Sequence, residues 1–329
     1  MTMVGDPSHW RADLPLPADG GSALYQVRIT FADGVKSTLP DNPADEWYVL
    51  YQGETVPLYC TDFEQDPFAN GWTHQGHDDW AWGVPTPPSG DDPTAPYSGT
   101  HLMGTNLSGD GRYTNRAQDL LVSPEIDLGI YSDVHLQYRR WLTVADASTD
   151  PATILANGES AWSNLGTTNG ENIVHQDREW VFQDVPLSGH LAINKVKVTF
   201  SLTPDDGYAR SGWNIDDVCI VANAHATCGD GVRQGTEQCD KGAENSDQPD
   251  AACRTFCRLQ TCGDGIVDSD EECDDGNKED GDTCSAACLI PPPPADTGCC
   301  DTGGSSGGTA AVWTALGALA LMRRRRRSS

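Results

Sequence analysis

The residues best equipped for chemistry in this chain are its twelve cysteines. None lies among the first 59 positions, and eight fall between Cys228 and Cys288. Thiols at such density either hold a soft metal or close disulfides. Cys228, Cys239, Cys253 and Cys257 are followed by Cys262, Cys273, Cys284 and Cys288, and "CGDGVRQGTEQCD" returns as "CGDGIVDSDEECDD" with a period of 34 residues. Neither copy has a histidine between its cysteines, so disulfides are expected in preference to zinc, with the connectivity inside each copy left open. Cys60 and Cys219 are the two cysteines of the stretch 56–222, and their pairing would staple its first strand to its last. Cys299 and Cys300 remain.

Catalytic signatures do not show. The sequence contains no HExxH, no GxSxG and no phosphate-binding glycine loop, and its eight histidines are scattered. His74 and His77 in "HQGHDD" have a spacing that suits a metal but no third ligand nearby in sequence, and they read as loop residues. Calcium needs six to eight oxygen ligands. Glu64 and Asp62, beside the first strand, and Asp216 and Asp217, beside the last, would converge on such an ion if those strands pair; the alternative is a set of solvated, turn-capping carboxylates. Trp80, Trp82 and Tyr97 would make a sugar-stacking platform on a surface and a core inside one. No organic cofactor is expected. The formal net charge of -28 argues against nucleic acid, since phosphate contacts need clustered Lys and Arg, and the one such cluster is terminal.

The elements that must position these residues are strands. Thirty-four glycines and twenty-one prolines among 329 residues point to a turn-rich, all-β protein with room for one or two domains. In "KVKVTFSL" Val196, Val198, Phe200 and Leu202 face one way and Lys195, Lys197, Thr199 and Ser201 the other, the pattern of a half-buried strand. "DVHLQYRRWL" repeats it, with Val134, Leu136 and Tyr138 opposed to His135, Gln137 and Arg139. Further strands are expected near 57–64, 99–103, 118–122, 179–185 and 213–221, enough for a two-sheet sandwich over 56–222. Upstream, residues 24–31 alternate and turn at Asp33-Gly34 as a hairpin, with another short strand at Trp47 to Tyr51. So few strands do not stabilise themselves. Residues 1–55 resemble the last strands of a fibronectin-type or immunoglobulin-like domain; an N-terminal extension packed on the sandwich is the other reading. "MTMVGDPSHWRADLPLPADG" has neither the basic segment nor the apolar run of a secretory signal, although the cysteines imply export, so the chain is expected to begin downstream of the true start.

Phe63-Glu64 with Gly71-Trp72, "DDWAWGVP", "YSGTHLMGTNL", "LVSPEIDL" and "GWNIDDV" together resemble the jelly-roll domain that accompanies the peptidase in immune-inhibitor-A-type secreted metallopeptidases, and more distantly MAM domains. The resemblance implies a recognition or stabilising module, often with a structural calcium. The two copies at 228–257 and 262–288 are similar to a cysteine-rich repeat of myxobacterial surface proteins, although Lys241 stands in the first copy where the second has Asp275. With few apolar residues, 228–288 would fold through its bridges as a stiff stalk.

After a linker at 289–308, residues 309–329 invert the character of the chain. Thr309 to Met322 carries no charge and reaches about 21 Å as a helix, short of a roughly 30 Å hydrocarbon core. Arg323, Arg324, Arg325, Arg326 and Arg327 follow. A buried helix or a basic tail would read this way, and so would a short C-terminal transmembrane helix whose arginines stay cytoplasmic. Gly298 and Cys299, with Cys300 adjacent, then the apolar run and the arginines, resemble the myxobacterial C-terminal sorting tag. That resemblance implies a membrane partner, cleavage by a sorting protease of the myxosortase type, and display at the cell surface. The expected function is a non-catalytic binding or adhesion module for an unknown extracellular protein or glycan. The alternatives are the accessory portion of a secreted metallopeptidase and the carbohydrate-binding module of an exported glycosidase.

Overall fold

A computed structural model describes residues 2–3, 10–14, 21–86, 91–168, 172–191, 194–224, 228–233 and 237–291. Gly298, Cys299, Cys300, Arg323 to Arg327 and the apolar run lie outside the described residues. Among the described residues no helix is long and apolar enough to cross a membrane.

The body is an all-β sandwich. Its seven-stranded sheet runs His175–Gln176, Val134–Val144, Gly212–Asn223, Leu102–Thr105, Trp80–Gly83, with Val181–Pro186 also on Val134–Val144 and Thr55–Thr61 also on Gly212–Asn223. The five-stranded sheet runs Glu159–Ser163, Ala152–Ala156, Val198–Leu202, Asp119–Val122, Thr73–Gly76. Pairing within both sheets is antiparallel. Val196, Val198, Phe200 and Leu202 are all buried from one face, as their alternation requires.

Two places depart from a simple apolar alternation. In Val134–Val144 the inward phase continues from Tyr138 through Arg140 to Leu142, so a guanidinium enters the core with no exposure. In Gly212–Asn223 the buried phase passes from Trp213 and Ile215 to Val218, Ile220 and Ala222. The change occurs at Asp217, whose φ of 47° marks a bulge: two residues, 217 and 218, lie between Asp216 and Cys219 where one, Tyr138, lies between their partners Arg139 and Gln137. Without this extra residue Val218 and Ile220 would face outward.

The upstream strands form two hairpin-like pairs. Gly21–Tyr25 pairs with Tyr48–Gln52, and Val27–Thr30 pairs with Lys36–Leu39, so the alternating segment is two strands broken at Gln26. They pack on the sandwich: Asn42 Nδ2 donates to Asp177 at 2.9 Å, Arg140 donates to Asp45 at 2.6 Å, and the Tyr48 hydroxyl donates to Glu179.

All eight repeat cysteines are in disulfides, nested identically in both copies: Cys228–Cys257 around Cys239–Cys253, and Cys262–Cys288 around Cys273–Cys284. Cys60 bonds Cys219 across directly opposed positions. The repeats do not stand off as a stalk. The Cys228 N–H donates to Ile130 O, Arg258 donates to Ser188 O, and Lys278 reaches Glu159 at 2.8 Å. The buried Arg254 joins one copy to the next through Asp264 at 2.8 Å and Asp268 at 2.5 Å.

Candidate functional site

Glu64, Asp216 and Asp217 meet at one loop, Ser98 to His101. Glu64 accepts the Thr100 and His101 N–H groups, each at 2.7 Å, and the Thr100 hydroxyl at 2.8 Å. These donors hold its carboxyl down at about 2. Gly99 lies so close that a Cβ would stand 2.4 Å from Glu64 Oε1, and its φ is +59°. On the other side Asp216 accepts the Ser98 N–H at 3.0 Å, and Asp217 accepts the Ser98 hydroxyl at 2.7 Å. Asp216 is fully buried; burial, followed by the carboxylate of Asp217, outweighs the N–H donors and pushes it up to about 6. Asp62 accepts the Glu64 N–H at 3.1 Å and so closes the turn that aims Glu64. Three of the four carboxylates, Glu64, Asp216 and Asp217, thus accept from this loop, whereas Asp62 accepts from the Glu64 N–H.

The aromatic platform read from the sequence is dispersed. Trp80 is core, edge-on to Phe200. Trp82 donates to Phe63 O at 2.6 Å and stacks on His101. Tyr97 is 43% exposed and belongs to a different group: its ring lies 4.1 Å from the Arg139 guanidinium carbon, which also faces Phe182, and Trp180 stands edge-on to both Tyr97 and Trp141. Arg139, Trp141 and Phe182 sit on adjacent strands with their side chains on the outward face, a juxtaposition created by register and not visible in sequence. The indole N–H groups of Trp141 and Trp180 donate to Asp91 O and Ala95 O, fixing the loop that carries Tyr97.

A third cluster joins the upstream strands to the sheet. His135 lies between Asp184 at 3.0 Å and Asp133 at 3.4 Å, with Tyr51 edge-on to its ring. Burial disfavours its charge, but the two carboxylates outweigh burial and raise it to about 9. Because the folded value exceeds the unfolded one, its stabilisation is complete below about pH 6.5 and is lost as pH rises through 9. Urea titrations are expected to show a loss of about 3 kcal/mol across that window, which His135→Gln flattens. An unchanged slope in the variant would remove His135 as the cause.

His74 and His77 part company. His74 reaches the exposed Asp78 at 3.3 Å, whereas His77 reaches the buried Asp79 at 3.0 Å, next to Asp119. Burial, then Asp79, pushes Asp119 up to about 6. In each repeat one aspartate holds a turn together. Asp240 accepts the N–H groups of Gly229, Gly231 and Gly242; Asp274 accepts those of Gly263, Asp264, Gly265 and Gly276. The recurring "CGDG" turn is thus wrapped on the aspartate that follows the second cysteine, with Lys241 or Asp275 outside that cradle.

A domain of unknown function, DUF4215, matches residues 250–289, the end of the first repeat and the second. The chain is 33% identical over 179 residues to Bacillopeptidase F of Bacillus subtilis (strain 168); the match covers 54% of this chain and 12% of that protein, so the chain spans about an eighth of its relative. Among solved structures, the K1 cleaved adhesin domain of Lys-gingipain from Porphyromonas gingivalis W83 has a TM-score of 0.33 at 17% identity, covering 52% of this chain and all of that one. The K3 domain of the same protein has a TM-score of 0.32 at 20% identity over 51% of this chain and all of that one. A carbohydrate-binding module of the β-sandwich superfamily has 0.29 at 13%, over 61% of this chain and 74% of its own. At these scores no function passes from those structures to this chain. The sandwich and its disulfides define an all-β, cross-linked protein homologous to one segment of a much longer peptidase.

Proposed function

We propose that this chain is a non-catalytic binding or accessory module of an exported protein held at the cell surface. The observation that carries this reading is its kinship to a stretch forming 12% of Bacillopeptidase F, a part small enough to be an addition to chemistry housed elsewhere. Five disulfides among the described residues support an oxidising, extracellular setting. In this reading Gly298, Cys299, Cys300 and Arg323 to Arg327 form the sorting tag, a protease of the myxosortase type is its partner, and the membrane is its temporary anchor. The module then serves an upstream catalytic domain of the metallopeptidase kind, or a glycan through Tyr97, Arg139 and Trp180; the half-exposed aromatic group with a guanidinium favours the glycan. Oxidised chain is expected to bind cell-surface polysaccharide without hydrolysing peptide or glycan substrates, and Tyr97→Ala with Trp180→Ala to weaken that binding about tenfold. Turnover by the folded chain itself would overturn the reading.

Calcium belongs to the same proposal. Asp216 and Asp217 are adjacent carboxylates with no basic group among their described contacts, and a hard cation would offset their repulsion, with Glu64 and Asp62 as the further oxygen donors. Calcium is expected to raise the thermal midpoint, chelation to lower it, and Asp217→Asn to abolish the difference. Equal midpoints with and without calcium would remove the ion from this site.

A further inference from the structure

His77, Asp79 and Asp119 come from two places far apart in sequence. The strand Thr73–Gly76 pairs antiparallel with Asp119–Val122, with Gly76 opposite Asp119. Gly76 makes that approach possible: its φ is +85°, and a Cβ there would stand 1.9 Å from Gln118 O. Immediately beyond it the His77 N–H donates to Gln118 O at 2.8 Å, which brings the imidazole over the start of the neighbouring strand. Asp79 follows, its carboxylate aligned by the Thr114 N–H at 2.6 Å and the Thr114 hydroxyl at 3.0 Å.

One ligand atom from each of the three side chains lies within 4.8 Å of the others. Proximity of carboxylates alone would not define a site. Asp119, however, has no solvent exposure, and its Oδ2 accepts no hydrogen bond, while Oδ1 receives only a long contact of 3.4 Å from the Asp79 N–H. A buried carboxylate oxygen without a donor is costly, and here it faces a second, nearly buried carboxylate. A cation removes both penalties at once. The imidazole side is 50% exposed, which provides a path of entry.

We propose that His77, Asp79 and Asp119 bind a divalent transition-metal ion of the zinc class. One imidazole nitrogen and two carboxylate oxygens, with solvent at a fourth position, match the ligand types and number of an open zinc site. Calcium is disfavoured because it takes six to eight oxygens and has no use for imidazole. The two carboxylates neutralise the ion's charge, and binding ties the turn at 77–79, which leaves the edge strand Thr73–Gly76, to the start of its neighbour Asp119–Val122. The ion therefore stabilises the sandwich by mass action. This site is separate from the carboxylates around Ser98 to His101 and independent of what the module binds.

The test uses the full oxidised chain, freed of metal by chelation and kept in millimolar calcium so that hard-cation sites are filled. Zinc and cobalt are added to wild type, His77→Ala and Asp119→Asn, and bound metal, cobalt absorption and thermal midpoint are recorded. His77 is at the surface, so its variant is expected to fold; Asp119→Asn checks the buried ligand. Wild type is expected to hold one more zinc than either variant, to show a cobalt spectrum without thiolate charge transfer in the difference, and to gain a zinc-dependent rise in midpoint that both variants lose. Any ion held by thiols elsewhere is common to all three and cancels. Equal stoichiometry in wild type and His77→Ala, or a site filled by calcium in place of zinc, would overturn the proposal.

Discussion

Asp177→Ala is expected to destabilise the protein by about 3–5 kcal/mol, the range for breaking a buried ion pair from one side. Asp177 is buried and accepts five donors: Arg140 Nε at 2.8 Å, Arg140 Nη2 at 3.1 Å, the Leu142 N–H at 2.9 Å, Asn42 Nδ2 at 2.9 Å and His175 Nε2 at 3.2 Å. Burial alone would raise its pKa, yet Arg140 and then His175 hold it well below the usual carboxylate range. Removing it strands the fully buried guanidinium of Arg140, leaving Asp45 as its remaining carboxylate. It also releases Asn42, so residues 21–52 lose part of their attachment to the sandwich. Urea unfolding monitored by tryptophan fluorescence gives the cost, and limited proteolysis reports whether the upstream strands loosen first. The double variant Arg140→Met with Asp177→Leu separates the cost of stranding a charge from the worth of the pair; it is expected to recover most of the loss. A loss below about 1 kcal/mol for Asp177→Ala would mean that the cluster is solvated in solution.

The second large effect is expected from Cys60→Ser with Cys219→Ser. The bond closes a separation of 159 residues, for which chain entropy predicts about 5 kcal/mol, against about 3 kcal/mol for the 14-residue separation of Cys239–Cys253. Cys60 and Cys219 face each other in register at the junction of the first and last sandwich strands, so the serine variant retains every ladder hydrogen bond and loses only the cross-link. Its native fold is therefore expected to persist, with a lowered denaturation midpoint and an unfolded state that is more expanded. Comparison of the variant with wild type in the absence of reductant isolates this bond from the four in the repeats. A change under about 1 kcal/mol would show that the unfolded chain remains compact without it.

How much of this was legible in the sequence depends on distance along the chain. Val196 to Leu202 and Val134 to Tyr138 alternate, and their apolar phase is buried; His135 and Ser201, on the other phase, are buried as well because further elements cover them. The Cys60–Cys219 bond was legible because no other cysteine competes between them. The nested pairing of each repeat was not, since four cysteines allow three connectivities and only the folded chain shows which one forms. Arg140 lies on the apolar phase of its strand, yet charge suggests an outward residue; its place became clear only with Asp177 and Asp45 opposite. Strands Thr73–Gly76, Trp80–Gly83, Ala152–Ala156 and Glu159–Ser163 were missed. Thr73–Gly76 is exposed at every position and Glu159–Ser163 is only half-buried, so neither carries a clean apolar phase. His77 lacked a third ligand in sequence because Asp119 reaches it through strand pairing, and Asp217 hid a bulge that only register reveals.

Non-reducing peptide mapping, with intact mass before and after reduction, on the chain recovered from the surface of its native cells tests whether this is an exported, cross-linked module. The expected result is surface material carrying Cys60–Cys219, Cys228–Cys257, Cys239–Cys253, Cys262–Cys288 and Cys273–Cys284. A chain found in the cytosol with those ten cysteines as free thiols would contradict it.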